Sequence, residues 1–217
     1  MFELPLVTSS DLRTVLLIGA HSDDLEIGCG GTVIKMLESN PAVDVHWVVL
    51  SSDDVRADEA RTSASLFLKN ANNAEVVVET FRGSYFPYIG REIKEYFDSL
   101  GARLTPDLVF THSRDDRHQD HRLVCELTWN TFRNHLILEY EIPKYDGDLG
   151  RPNVYVALEE QFCTQKIETL MSSFRSQLDK HWFTEDTFRA LMRLRGIECR
   201  SSSGYAEAFY STKILLG

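Results

Sequence analysis

The chain has 217 residues, a formal charge of −10 at pH 7, 43% apolar residues and 26% charged residues. That length suits one domain with a sizeable core, and the composition is that of an ordinary soluble globular protein. The acidic balance argues against non-specific binding of nucleic acid, which needs a basic footprint.

No run of eighteen apolar residues occurs, so no membrane span and no integral membrane association are expected. Residues 1–10 carry no basic segment and too short an apolar stretch for a signal peptide. Cys29, Cys125, Cys163 and Cys199 show neither CxxC spacing nor the density of a disulfide framework. Both features suit a cytoplasmic protein.

In chain order, residues 14–18 form a short apolar run bounded by Gly19, read as a strand buried on both faces. The polar stretch HSDDLEIGCGGT, His21 to Thr32, begins where that strand emerges. Gly28, Gly30 and Gly31 are expected to permit the strand-to-helix turn, with a helix over 30–38 carrying Val33, Ile34 and Leu37 on one face. Cys29 reads as a small residue packed at the helix start. Residues 45–50 are the second strand, 56–69 a helix and 74–79 the third strand, followed by a loop over 82–87. Ile93, Phe97 and Leu100 show helical spacing within 89–100.

The fourth strand, 107–111, opens into HSRDDRHQDH, His112 to His121, and the next helix starts near Asp120. Residues 136–142 read as the fifth strand. Residues 144–152 form a Gly/Pro-punctuated loop that can wall a pocket. An edge strand is expected at 154–156, helices at 160–174 and 185–194, and a final strand over 206–216.

This alternation predicts a Rossmann-like α/β fold, a doubly wound, mostly parallel sheet flanked by helices. One domain is expected, with a core over 1–142 and an extension over 143–217 that helps wall the pocket. In the order 3-2-1-4-5 the first and fourth strands flank the switch point, so the two polar loops meet there.

Two histidines and a carboxylate that leave positions open are a usual ligand set for catalytic zinc and for non-haem iron. His21 and Asp24 can turn onto one metal from the first loop, and His121 can complete the triad from the second. Asp23 then faces elsewhere and is the natural general base for a water whose pKa the metal lowers. His118, three residues before His121, is placed to stabilise an oxyanion and protonate a leaving amine. Asp120, or alternatively Asp116, can orient and charge that imidazole.

The two segments together resemble the PIG-L/LmbE-like family of zinc-dependent N-deacetylases, whose motifs are an H-P/A-D-D-x-E-x-G-x-x-G-T segment and an H-x-D-H segment. The resemblance implies zinc on His21, Asp24 and His121, Asp23 as base, and His118 as electrophile or acid supported by Asp120. It implies a small N-acetylated amino-sugar substrate and no other cofactor. Arg56-Ala-Asp-Glu-Ala60 resembles the family's Arg-x-x-Glu-Ala helix start, whose arginine lies near the substrate pocket. Ser176-Gln177 and Tyr205 to Phe209 resemble its C-terminal signatures. Ser22 stands where proline is common.

Other readings are weighed beside this one. The glycines after the first strand, with Asp53 ending the second, invite a nucleotide-binding oxidoreductase, but Asp23, Asp24 and Glu26 would repel a pyrophosphate and the glycine spacing is wrong. A non-catalytic metal- or carbohydrate-binding protein of the same fold would not need both proton-transfer residues. His46, His135 and His181 read as ordinary packed or solvated imidazoles, and His112 as a structural partner behind the metal. Arg82 is carried with Arg56 as a substrate contact, while Arg114, Arg117 and Arg122 balance neighbouring aspartates. By the same resemblance Glu26 is assigned either to the loop or to a supporting place behind the metal, and Gln177 and Glu207 are carried as pocket candidates. Zinc, ferrous iron or another divalent ion fits this pattern, and a homo-oligomer is left open.

Overall fold

The computed structural model describes residues 3–215. Seven strands form one sheet in the order β3-β2-β1-β4-β5-β7-β6. The first five are parallel: β1 (Thr14–His21), β2 (Asp44–Ser51), β3 (Asn73–Val78), β4 (Leu108–His112) and β5 (Leu136–Tyr140). The helices α1 (Asp24–Ser39), α2 (Asp54–Phe67), α3 (Gly90–Arg103) and α4 (Gln119–Thr131) connect them. The apolar strands are buried on both faces because neighbouring residues feed different cores. Val15 and Leu17 of β1 pack under α1 and α2, whereas Leu16 and Ile18 pack under α3 and α4.

The helix signals follow their residues. Ile93, Phe97 and Leu100 form the buried stripe of α3. Asp53 caps α2 by accepting from Arg56 N at 2.9 Å, which gives that aspartate a structural role.

Helix α1 departs from expectation. It starts at Asp24, six residues before the predicted start, so its glycines lie inside the helix and not in the turn. Glycine is a poor helix former, and here it serves packing. A Cβ on Gly28 would lie 2.3 Å from the Tyr140 ring, and one on Gly30 would lie 2.5 Å from Phe67.

The C-terminal part adds β6 (Val154–Leu158), α5 (Glu160–Ser173), α6 (Glu185–Glu198) and β7 (Tyr205–Tyr210). The last strand is shorter than predicted, and Leu216 lies outside the described residues. It lies between β5 and the edge strand β6 and runs antiparallel to both. Helix α5 packs across α1 and α2, so the C-terminal part completes the same core. Among the described residues no helix is long and apolar enough to cross a membrane.

Candidate active site

Strands β1 and β4 are neighbours, and both polar loops leave their C-terminal ends, where open α/β sheets place ligands. His21 ends β1, and Asp24 opens α1. Between them Asp23 takes φ 102°, a conformation uncommon for a residue with a side chain. That turn sends two consecutive carboxylates in different directions. Asp24 Oδ2 accepts from His21 N at 2.7 Å, while Asp23 Oδ2 meets Arg56 Nη2 at 3.2 Å. Arg56 also donates to the Ser22 carbonyl, which fixes that turn against α2. Both carboxylates lie at the N-terminus of α1, whose dipole favours negative charge.

On the other side β4 ends at His112, and His118 caps α4 by accepting the Asp120 N–H on its Nδ1 at 3.2 Å. His121 follows in the first turn. Its ring centroid lies 4.5 Å from that of His118, and His21 lies 4.8 Å from His118.

The three atoms His21 Nδ1, Asp24 Oδ2 and His121 Nε2 form a triangle with sides of 3.1, 3.5 and 3.6 Å. Each ring has a carboxylate on its other nitrogen: Asp120 Oδ2 lies 3.0 Å from His21 Nε2, and Asp116 Oδ2 lies 2.9 Å from His121 Nδ1. When both neutral rings donate to those carboxylates, two lone pairs face each other across 3.1 Å beside an anion. A cation between the nitrogens, a metal ion or a proton, relieves that arrangement. A tetrahedral zinc with bonds of about 2.0–2.2 Å spans ligand edges of about 3.3–3.6 Å, so the donor set fits that ion.

Without a metal, a proton can take the same place: His21 Nδ1–H then donates to His121 Nε2. Burial works against charge on His21, but the carboxylates of Asp120 and Asp24 carry it up to about 9. Burial and the neighbouring His112 push His121 down to about 3. Burial opposes ionisation of Asp24, yet His121 and His112 hold it well below the usual carboxylate range. Asp23 is raised to about 7 by burial, against the pull of Arg56. His118 is lowered by burial and by His21.

The other residues singled out from the sequence fall into clear places. The Asp120 carboxylate is held by Ser84 N and Phe86 N at 2.6 and 3.2 Å and serves His21, so it supports a different imidazole from the one expected. His112 is fully buried, with Nε2 3.2 Å from Asp24 Oδ2 and its ring stacked on His121 at 3.8 Å. A nitrogen or oxygen from each of Asp24, His112 and His121 lies within one small cluster, as does one from each of His21, His118 and His121. Arg82 is exposed and lies over the Tyr85 ring at 3.6 Å, while the next residue, Gly83, backs onto His21. Glu26 lies in the first turn of α1, and burial raises its carboxyl to about 8. Glu207 accepts from Gly31 N and Thr32 N in the middle of α1 and lines a cavity with Ile27 and Gly28. Gln177 is buried, with its Nε2 donating to Ser176 Oγ.

Two contributors were not anticipated. Asp116, an alternative partner for the His118 ring in the sequence, instead has its Oδ2 on His121, and its Oδ1 accepts from His118 N at 2.7 Å. Lys144, from the 144–152 loop, places Nζ 2.9 Å from Asp116 Oδ2 and 2.6 Å from Asp148 Oδ2. The position of Asp116 just before a histidine-capped helix was a usable signal. Nothing local marked Lys144.

The family model described as GlcNAc-PI de-N-acetylase, PIG-L, matches residues 16–132, more than half of the chain. The chain belongs to the PIG-L family. Escherichia coli K12 has a relative, the uncharacterized deacetylase YaiS, 25% identical over 76% of this chain and 93% of its own length. The N,N'-diacetylchitobiose deacetylase of Pyrococcus horikoshii shares the fold with a TM-score of 0.66 at 21% identity, covering 93% of this chain and 84% of that one. So does GalB of Pseudomonas putida KT2440, a 4-carboxy-2-hydroxymuconate hydratase, with a TM-score of 0.76 at 17% identity over 95% and 98% of the two chains. The PIG-L fold thus carries more than one chemistry, and the reaction has to be argued from the site.

Proposed function

We propose that the protein is a metal-dependent N-deacetylase that hydrolyses the acetamide of an amino sugar or of an amino-sugar conjugate. The observation that carries this reading is the triangle of His21 Nδ1, Asp24 Oδ2 and His121 Nε2, with the Asp23 carboxylate on the adjoining residue. Zinc, ferrous iron or another divalent ion held by these three residues supplies Lewis acidity, polarising the acyl oxygen and making water acidic near neutral pH.

The protein's own groups do the rest. Asp23, held by Arg56, takes a proton from the water whose oxygen adds to the acyl carbon. Because His118 Nδ1 accepts the Asp120 N–H, the neutral ring carries its proton on Nε2, a donor for the oxyanion. That geometry supports His118 as a hydrogen-bonding electrophile, not as an imidazolium. When the C–N bond breaks, the proton held by Asp23 is available to the departing amine, and acetate and the free amino sugar are released. Arg56, which contacts Asp23, and Arg82, exposed on the loop that holds Asp120, are assigned to the sugar. The four cysteines, none bonded to another, support a reducing compartment such as the cytoplasm.

Acetate release from a panel of N-acetylated sugars, with and without a chelator, tests the reading. Chelator-sensitive release is expected. A metal-loaded protein that frees no acetate from any member of the panel overturns it.

A further inference from the structure

A buried ion pair lies behind the site, where the C-terminal part meets α1. Lys166 of α5 and Glu207 of β7 are 3% and 4% exposed, and their charged atoms lie 2.6 Å apart. Neither spends its capacity on the other alone. Lys166 Nζ donates to the Ile27 carbonyl at 2.6 Å, and Glu207 accepts from Gly31 N at 2.9 Å and Thr32 N at 2.7 Å.

In a regular helix the Ile27 carbonyl and the Gly31 N–H are each other's partners. The ion pair therefore grips both ends of one helical rung, one turn after the residue that opens α1 beside the metal triangle. The grip depends on absent side chains. A Cβ on Gly31 would lie 3.1 Å from Glu207 Oε1 and 2.6 Å from Leu158 Cδ1.

We infer that Lys166 and Glu207 are positioning residues that set the axial placement of α1 and, through it, of Asp23 and Asp24 at the metal site. The inference rests on the metal-site reading above. Paired buried charges are retained at some expense of desolvation, and here the pair binds backbone atoms of the one helix that carries both carboxylates. The glycine-rich segment of α1 and Glu207 of β7 are then two halves of one device.

The test compares zinc affinity, by competition with a chromophoric chelator, in the full-length wild type, Lys166→Met and Glu207→Gln. Folding of each is confirmed by circular dichroism. Positioning predicts that both variants lose affinity, by about 10-fold or more, although one removes a positive and the other a negative charge. Lys166→Arg, which keeps the cation, should recover most of it. Opposite shifts in the two variants would mean that only long-range charge is felt. Affinity within twofold of wild type in folded variants would mean a purely structural pair. Either result overturns the inference. Should neither variant fold, Gly31→Ala crowds both Leu158 and the Glu207 carboxylate without removing a charge, and the same loss of affinity is expected from it; unchanged affinity there also overturns the inference. A wild type that takes up no metal overturns the site reading and the positioning role together, whereas equal binding by wild type and variants overturns the positioning role alone.

Discussion

Asp23 and Asp24 are adjacent, yet their environments set them to different tasks. The positive φ at Asp23 places one carboxylate on Arg56, and Asp24 is left among three imidazoles that hold it ionised. Changing Asp23 to Asn should therefore leave metal content intact while kcat falls by about 10²–10⁴-fold. Metal analysis beside steady-state kinetics checks this, and normal turnover would remove Asp23 as the base. Asp116→Asn makes the complementary case. It weakens the acceptor on His121 Nδ1, so metal affinity should drop by about 10–100-fold, measurable by chelator competition. At this scale much of the candidate site was legible. His21, Asp24 and His121 stand in two short motifs after strands, and the sheet topology that joins such motifs follows general rules. The supporting carboxylates were harder to assign, because Asp116 and Asp120 differ by only four positions and either can reach an imidazole. Only the loop at 82–87, which turns its backbone N–H groups onto Asp120, decides between them.

At the scale of elements, α1 shows why local propensity misplaced a boundary. Three glycines in four residues suggest a turn, but tertiary packing overrides that preference when neighbouring aromatic rings need the space. Tyr140 crosses beneath Gly28 and donates its hydroxyl to the Ile18 carbonyl at 2.7 Å, tying β5 to β1 under the helix. An alanine at Gly28 should raise intrinsic helix propensity yet destabilise the protein, because its methyl group would meet a fully buried ring. A loss of about 1–3 kcal/mol is expected from overpacking, read as a lowered urea midpoint with unchanged m-value. A stabilised variant would mean that the glycine serves the backbone and not the packing. The strands were easier to read, since continuous apolar runs of strand length bounded by polar loops leave little ambiguity. The largest overextension was at the C-terminal end of β7, with a smaller one at the end of β5.

For the whole molecule the question is whether residues 143–217 are an appendage or part of the fold. Sequence separation hid the answer, because the decisive contacts join residues more than a hundred positions apart and carry no shared periodicity. Lys166 and Glu207 meet Ile27, Gly31 and Thr32; Leu158 packs on Gly31; and Phe162, Ile167, Leu170 and Phe209 enter the same apolar cluster as Leu25, Val33 and Leu37. A chain ending at residue 142 keeps both loops proposed to hold the metal and the five parallel strands, so a two-domain view predicts that it folds and binds metal. The packing predicts otherwise. Truncation exposes one edge of β5, uncovers the glycine face of α1, and strips α5 from α1 and α2. Exposed apolar area of that kind removes about 25 cal/mol per Å² from a net stability of only about 5–15 kcal/mol. The truncated chain should therefore show no cooperative urea transition by circular dichroism and no stoichiometric zinc. A sharp transition with one bound metal would show that the parallel core stands alone and that the C-terminal part merely decorates it.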